Sequence, residues 1–253
     1  MDAISFELKS NFGFFHWGKT KGDRRITSLF ISRTEVLGIV GAIIGLDGYT
    51  QENFRNKIKP KQPRRDTYYD ILKGLEVSIV PINIPHFFDD QLIHREMKHI
   101  NTKGSLMVEM KGLVEPHYKV YLRQGTVEDD VFEKICLYLK KGWSEFIPYF
   151  GKNQFPLEIL SPQEEELVEQ PLESEVLVKS LFRQEDVSKP QKVRKSKLVK
   201  TSEDNYHLSD TLKNYDKENP ARIVGEQMIW SSFDVSLSVP VYQTKTGEHI
   251  VFQ

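Results

Sequence analysis

Ser32-Arg33-Thr34-Glu35-Val36-Leu37-Gly38-Ile39-Val40-Gly41-Ala42-Ile43-Ile44-Gly45-Leu46 is the stretch on which the reading of this chain turns. Ser32 followed three residues later by Glu35 is a capping box, in which each side chain satisfies an orphan amide of a first helical turn. The apolar run behind it predicts a helix over 33–46. Gly38, Gly41 and Gly45 recur at i, i+3 and i+7 and so share one face. Each glycine costs roughly 1 kcal/mol against alanine in a helix interior, so the stripe predicts that another backbone or a ligand comes close. Just upstream, Phe12-Gly13-Phe14-Phe15-His16-Trp17 reads as the end of an aromatic strand, and the loop after it carries Lys19, Lys21, Arg24 and Arg25. A helix amino end beside four basic side chains suits a phosphate chain.

Working outward, Ala3–Leu8 alternates with period two and predicts a strand. Polar helical stretches are expected at 51–59 and 67–73, then strands at 75–80, 105–110 and 118–122. Glu128-Asp129-Asp130 opens a second helix with Phe132, Ile135, Cys136 and Leu139 on one side. Lys140, Lys141 and Gly142 close it in accord with the helix dipole and a left-handed cap. A further strand begins at Phe155. The order strand, helix, strand, strand, helix, strand predicts an α+β, ferredoxin-like domain of the kind RNA-recognition modules use, over residues 1–160. Residues 83–104 are read as an insertion too long and too polar for a tight hairpin, carrying Arg95, Lys98, His99 and Lys103. Beyond 160, strand-like segments at 176–182, 228–239 and 249–252 predict a small β-rich C-terminal lobe (161–253). A long polar loop is expected at about 183–220, with a basic tract at 189–200, and Glu164–Glu166 are expected to face solvent.

The order and spacing of these pieces resemble the CRISPR-associated "Cas-five" family, the subunit that holds the 5′ handle of the guide RNA in Cascade complexes, with type I-B the nearest pattern. The resemblance rests on Ser32-Arg33-Thr34, Leu37-Gly38 and Ile44-Gly45-Leu46, continues through Tyr69–Val77 and Tyr118–Tyr121, and ends at Tyr149-Phe150-Gly151-Lys152-Asn153-Gln154-Phe155-Pro156. It covers about the first 160 residues. It implies that 83–104 is a thumb reaching over the guide RNA, and that the partners are the crRNA 5′ handle and the Cascade backbone and large subunits, with target DNA met through the complex. On this reading RNA is held by Lys19, Lys21, Arg24, Arg25 and Arg33, by Arg95, Lys98, His99 and Lys103 of the thumb, and by a close-approach turn at Gly151-Lys152.

Charge placement agrees with a nucleic-acid partner. The net charge of the chain is −1, yet residues 9–65 hold 12 Lys and Arg against 4 Asp and Glu, a local +8. Phe14, Phe15, Trp17 and Phe54 are interleaved with that charge, as in single-strand binding surfaces. The one cysteine, Cys136, excludes an internal disulfide and belongs to an apolar helix face. None of the seven histidines pairs with cysteine or carboxylate at metal-ligand spacing, so neither metal nor cofactor is expected. No phosphate-binding loop, serine elbow or dinucleotide fingerprint is present. With no apolar run of about 20 residues and no charged-then-apolar leader, a cytoplasmic protein away from membranes is expected.

The expectation is therefore a non-catalytic, handle-capping subunit. A metal-free endoribonuclease that processes precursor crRNA is the alternative, because general acid and base groups suffice for attack by a 2′-hydroxyl. In His117-Tyr118-Lys119, however, strand alternation puts Tyr118 on the face opposite the other two. An RNA-recognition protein unrelated to CRISPR fits the element order but not the glycine-striped helix.

Overall fold

The computed structural model describes residues 2–15, 24–58, 65–83, 91–100, 104–172, 175–188, 206–215, 223–232 and 234–253. The chain runs β1 (Ala3–Lys9), β2 (Phe12–Gly13), β3 (Arg24–Ile26), α1 (Arg33–Ile44), α2 (Tyr49–Ile58) and α3 (Tyr68–Leu72). It continues with β4 (Glu76–Asn83), β5 (Gln91–Ile100), β6 (Gly104–Val114), β7 (His117–Arg123), α4 (Asp129–Lys141) and β8 (Glu158–Glu165). The architecture is mixed α and β, with mostly antiparallel sheets and few helices.

The central sheet has the order β4-β7-β1-β8, and every neighbouring pair is antiparallel. In β1 the alternation predicted from sequence separates Ile4, Phe6 and Leu8 from Ser5 and Glu7. The apolar set joins Val77, Ile79, Tyr118, Val120 and Leu122 in one core with Val36, Leu37, Val40 and Ile43 of α1 and Phe132, Ile135, Cys136 and Leu139 of α4. Both helices thus cover one face of the sheet. Ser32 and Glu35 form the capping box, and Gly45 ends α1 in the left-handed region at φ +82°, just short of the ending expected at Leu46. The α4 boundaries read from sequence hold as well, with Gly142 as its left-handed cap.

The other face of the sheet is closed by the C-terminal segment. Ile250 packs on Val80 and Tyr121, with Tyr242 and Phe252 beside them. The Arg123 guanidinium lies 4.5 Å from the Tyr242 ring and 4.7 Å from the Phe252 ring while also pairing with Glu76. Leu181 and Gln253 bond to Ile79 and Val77 along the outer edge of β4. The lobe itself is β-rich, with short strands and a second core of Val178, Phe182, Ile229, Val235, Leu237, Val241 and Val251.

Three expectations change. β8 runs on through Pro162 into the acidic stretch because a bulge, with Ser161 at φ +50°, interrupts its register with β1. That turns Glu165 inward, where it is 2% exposed and accepts a hydrogen bond from Ser5 Oγ at 2.7 Å; it does not face solvent. The region expected as a long loop at 183–220 contains the strand Tyr206–Tyr215, paired with Ile223–Ser231. Its basic tract, 189–200, lies outside the described residues.

The glycine stripe is filled from within the chain. A Cβ on Gly41 would stand 2.6 Å from Cβ of Tyr68, the first residue of α3, whereas one on Gly38 would meet the Tyr68 ring at an ordinary 3.6 Å. The contact at Gly41 is with the root of a side chain, which cannot swing away. Gly41→Ala should therefore destabilise by roughly 1–3 kcal/mol through overpacking, while Gly38→Ala should be neutral or stabilising by up to about 1 kcal/mol through helix propensity. Thermal melts of the two variants should move in opposite directions, or only the first should move; equal behaviour would show that α3 does not fix this face.

Candidate nucleic-acid interface

The helix amino end expected to meet phosphate is already occupied. Ser32 and Thr34 are buried, as is the preceding segment Leu29–Ile31, and the capping box of Ser32 and Glu35 takes up amides of the first turn. Arg33 does not project outward. Its Nε donates to the Gln253 carbonyl at 3.1 Å, and its Nη2 donates to the carbonyls of Lys73 and Leu75. A guanidinium spread over three backbone acceptors is a tie between segments, and sequence alone gives no sign of such distant partners.

The Gly151 turn also closes on its own chain. Gly151 sits at φ +73°, and a Cβ there would lie 1.8 Å from the Phe14 carbonyl oxygen. The glycine requirement comes from that packing, so no approaching RNA is needed to explain it. Lys152 Nζ lies 5.5 Å from the centre of the Phe14 ring. Phe14 and Phe15 are themselves core residues, 3% and 1% exposed, with Phe15, Tyr118 and Phe150 in mutual ring contact. Of the four interleaved aromatics, Phe54 is exposed and Trp17 lies outside the described residues.

The segment expected as a polar insertion is half of a long hairpin. β5 and β6 pair from Gln91–Leu113 to Ile100–Gly104, although neither strand alternates cleanly in sequence. In that register Arg95 is opposite Glu109 and Met97 is opposite Met107. The other edge of β6 receives β3 in parallel and β2 antiparallel. This brings together residues far apart in sequence: Arg24 is opposite Glu109, which is opposite Arg95, and Arg25 is opposite Met110, which is opposite His94. The end of the basic loop is thereby a strand of the hairpin sheet. Its base is pinned where Phe15 N donates to Thr27 Oγ1 and Ser28 N donates to the Phe15 carbonyl, both at 2.9 Å. Lys98 and His99 lie further out on β5, while Lys19, Lys21 and Lys103 lie outside the described residues.

Because tail residues lie over Val80 and Tyr121, part of the sheet face that RNA-recognition modules expose is covered here. On that face His117 Nε2 meets Glu7 Oε2 at 2.8 Å, and Lys119 lies 3.6 Å from Glu165. Tyr118, on the helix side, donates to the Leu29 carbonyl; burial, aided by nearby Glu35, pushes its hydroxyl well above the ordinary range. Among the described residues no group of three or more His, Cys, Asp or Glu could hold a metal ion. No helix among them is long and apolar enough to cross a membrane.

An apolar surface not expected from the sequence follows α4. Trp143, Phe146, Ile147 and Tyr149 are 53%, 48%, 83% and 46% exposed. The segment is held firmly: Glu145 N and Phe146 N donate to the Ile43 and Ala42 carbonyls of α1, and Tyr138 donates to Glu145 at 2.6 Å. Four large apolar residues within seven positions just past a helix cap were the available signal.

Against known proteins, no family model matches the sequence, and no curated protein matches it. Among solved structures, a CRISPR RNA-guided surveillance complex chain aligns at 11% identity over 92% of this chain and 91% of that one, with a TM-score of 0.48. A CRISPR protein from Archaeoglobus fulgidus aligns at 12% identity over 99% of this chain and 98% of its own, also with a TM-score of 0.48. A third, described as a Cas protein, gives 15% identity, 93% and 95% coverage and a TM-score of 0.42.

Glu35 offers a direct check of the buried helix start. Desolvation pushes its carboxyl from 4.5 up to about 7, against hydrogen bonds from Ser32 that pull it down. Between those two values the unfolded chain has released the proton that the folded chain keeps, so stability should fall as pH rises through that window. Denaturant midpoints measured from pH 4.5 to 7.5 should decline in the wild type and decline less in Glu35→Gln. Parallel curves would place the carboxyl in solvent.

Proposed function

We propose that this chain is the non-catalytic subunit of a type I-B-like Cascade complex, one that grips and caps the 5′ handle of the guide RNA and seats the backbone and large subunits. The order β1-α1-β4-β7-α4-β8 on an antiparallel sheet supports a ferredoxin-like core, with the β5–β6 hairpin as its thumb. The observation that carries the reading is the docking of Arg24–Ile26 onto β6. It joins Arg24 and Arg25, the end of the basic stretch, to the β5–β6 hairpin, which is a separate feature in the sequence. Such an element can follow a phosphate chain through Lys19, Lys21, Arg24, Arg25, Arg95, Lys98 and Lys103, with Arg33 positioning the core beneath it. The exposed Trp143, Phe146, Ile147 and Tyr149 suit a protein neighbour, because large apolar and aromatic groups on a fixed segment form the centre of protein interfaces.

One contact favours the endoribonuclease as a second reading. His117 held by Glu7 is the arrangement of a histidine oriented for proton transfer. Against it, Tyr118 is buried on the far side of the sheet.

Reversing Arg24 and Arg25 together to glutamate should weaken binding of handle RNA and lower the slope of log affinity against log salt by about one for each phosphate no longer neutralised. An unchanged slope in a titration from about 50 to 300 mM salt, the range over which counterion release is read, would remove this strand from the site. Incubated with precursor repeat RNA in EDTA, the wild-type protein should leave it intact. A 2′,3′-cyclic phosphate end at one position, abolished by His117→Ala, would establish the nuclease instead.

A further inference from the structure

One side chain closes the neck of the segment that ends in Arg24 and Arg25. Thr27 is buried, and its Oγ1 accepts from Phe15 N at 2.9 Å while donating to the Ser28 carbonyl at 2.9 Å. Ser28 N returns a bond to the Phe15 carbonyl, so both backbone groups of Phe15 are held across the neck. Each side of the neck is fixed to the core in turn. Phe14 N donates to the Phe150 carbonyl, the Phe15 ring centre lies 5.3 Å from that of Phe150, and Tyr118 Oη donates to the Leu29 carbonyl. On the hairpin sheet, β2 meets β6 at Val114 and Leu113, and β3 meets it at Glu109, Met110 and Lys111. The chain thus leaves the β6 edge at Gly13 and rejoins it at Arg24, and Thr27 follows directly on the strand that carries the two arginines.

From this geometry we infer that Thr27 is a positioning residue for RNA binding, one whose hydroxyl holds the neck closed and so sets Arg24 and Arg25 on β6 before the ligand arrives. A three-residue strand supplies few bonds of its own to offset the entropy of fixing it. The neck ties the end of that strand to the core. Without the hydroxyl, the buried amide of Phe15 loses its partner, and an orphaned donor costs more than its bond contributes. Affinity then falls with the fraction of chains whose neck is already closed. Thr27 is buried, so it acts through the strand and not on the RNA. The inference rests on the handle-binding reading above and names the residue that prepares its strand.

The test is binding of handle RNA by fluorescence anisotropy across a salt series, on the full chain. Thr27→Val, which keeps the shape and removes the hydroxyl, should weaken binding roughly 5- to 150-fold, the equivalent of one orphaned buried amide. Its slope of log affinity against log salt should match wild type, because no phosphate contact is lost. Thr27→Ser, which restores the hydroxyl, should bind like wild type. A folded Thr27→Val that binds like wild type, a lowered slope in that variant, or an equal weakening in Thr27→Ser overturns the inference. Should Thr27→Val fail to fold, Thr27→Cys takes its place under the same criteria, since a thiol is a weaker donor and acceptor. In RNA-free wild type the Phe15 amide should exchange its hydrogen slowly, and exchange at the rate of an open amide overturns a preformed neck. If the Arg24/Arg25 reversal weakens binding while Thr27→Val binds like wild type, this inference falls alone. If the reversal changes neither affinity nor slope, the handle reading falls and the positioning role falls with it.

Discussion

Arg33 joins three parts of the molecule that are distant in sequence. Its guanidinium donates to Lys73 and Leu75, where the chain leaves α3 for β4, and to Gln253 at the end of the tail. Hydrogen bonds from a charged donor to carbonyls in a partly dry site are worth more than neutral ones, about 1.5–3 kcal/mol each. The tie fixes the start of α1 against the edge strand and holds the tail on it. The tail in turn brings Ile250, Tyr242 and Phe252 over the sheet. An arginine expected at the ligand surface is thus the residue that decides which surfaces remain available.

The tail covers part of the sheet face that the two helices leave open. A four-stranded antiparallel sheet with two helices on one face commonly binds through the other face, but that face here holds Tyr121 and Val80 under the tail, with the Ser5–Glu165–Lys119 cluster directly beside them. Under the proposed function, binding falls to the hairpin sheet with its added strand and to the apolar segment after α4. These differ in chemistry, since β3 brings Arg24 and Arg25 to the first and the second carries exposed aromatic and aliphatic groups.

The core was legible because its signals are local. The capping box at Ser32 and Glu35, the alternation of Ile4, Phe6 and Leu8, and the charges and glycine ending α4 each lie within a few residues, and all hold. The site was less legible because its determinants are long-range. Gly41 and Gly151 signalled close approach correctly, but sequence could not say that Tyr68 and Phe14 are the groups approaching. The aromatic run at Phe14-Phe15 resembled a stacking surface because core and stacking aromatics have the same composition; burial alone separates them. The hairpin looked like a polar insertion because its strands pair along the backbone without a clear period in either sequence.

The hairpin has one further consequence, for solubility. β6 is paired on both sides, whereas β5 has β6 as its one partner among the described residues, so its ten-residue outer edge meets no other described strand. Such an edge is a template on which a second chain can add a strand, and long edges are a common route to aggregation. The strand that bears it reads Gln91-Leu92-Ile93-His94-Arg95-Glu96-Met97-Lys98-His99-Ile100, with charged or titratable residues through its middle. Charges along an edge strand disfavour the addition of a second copy there.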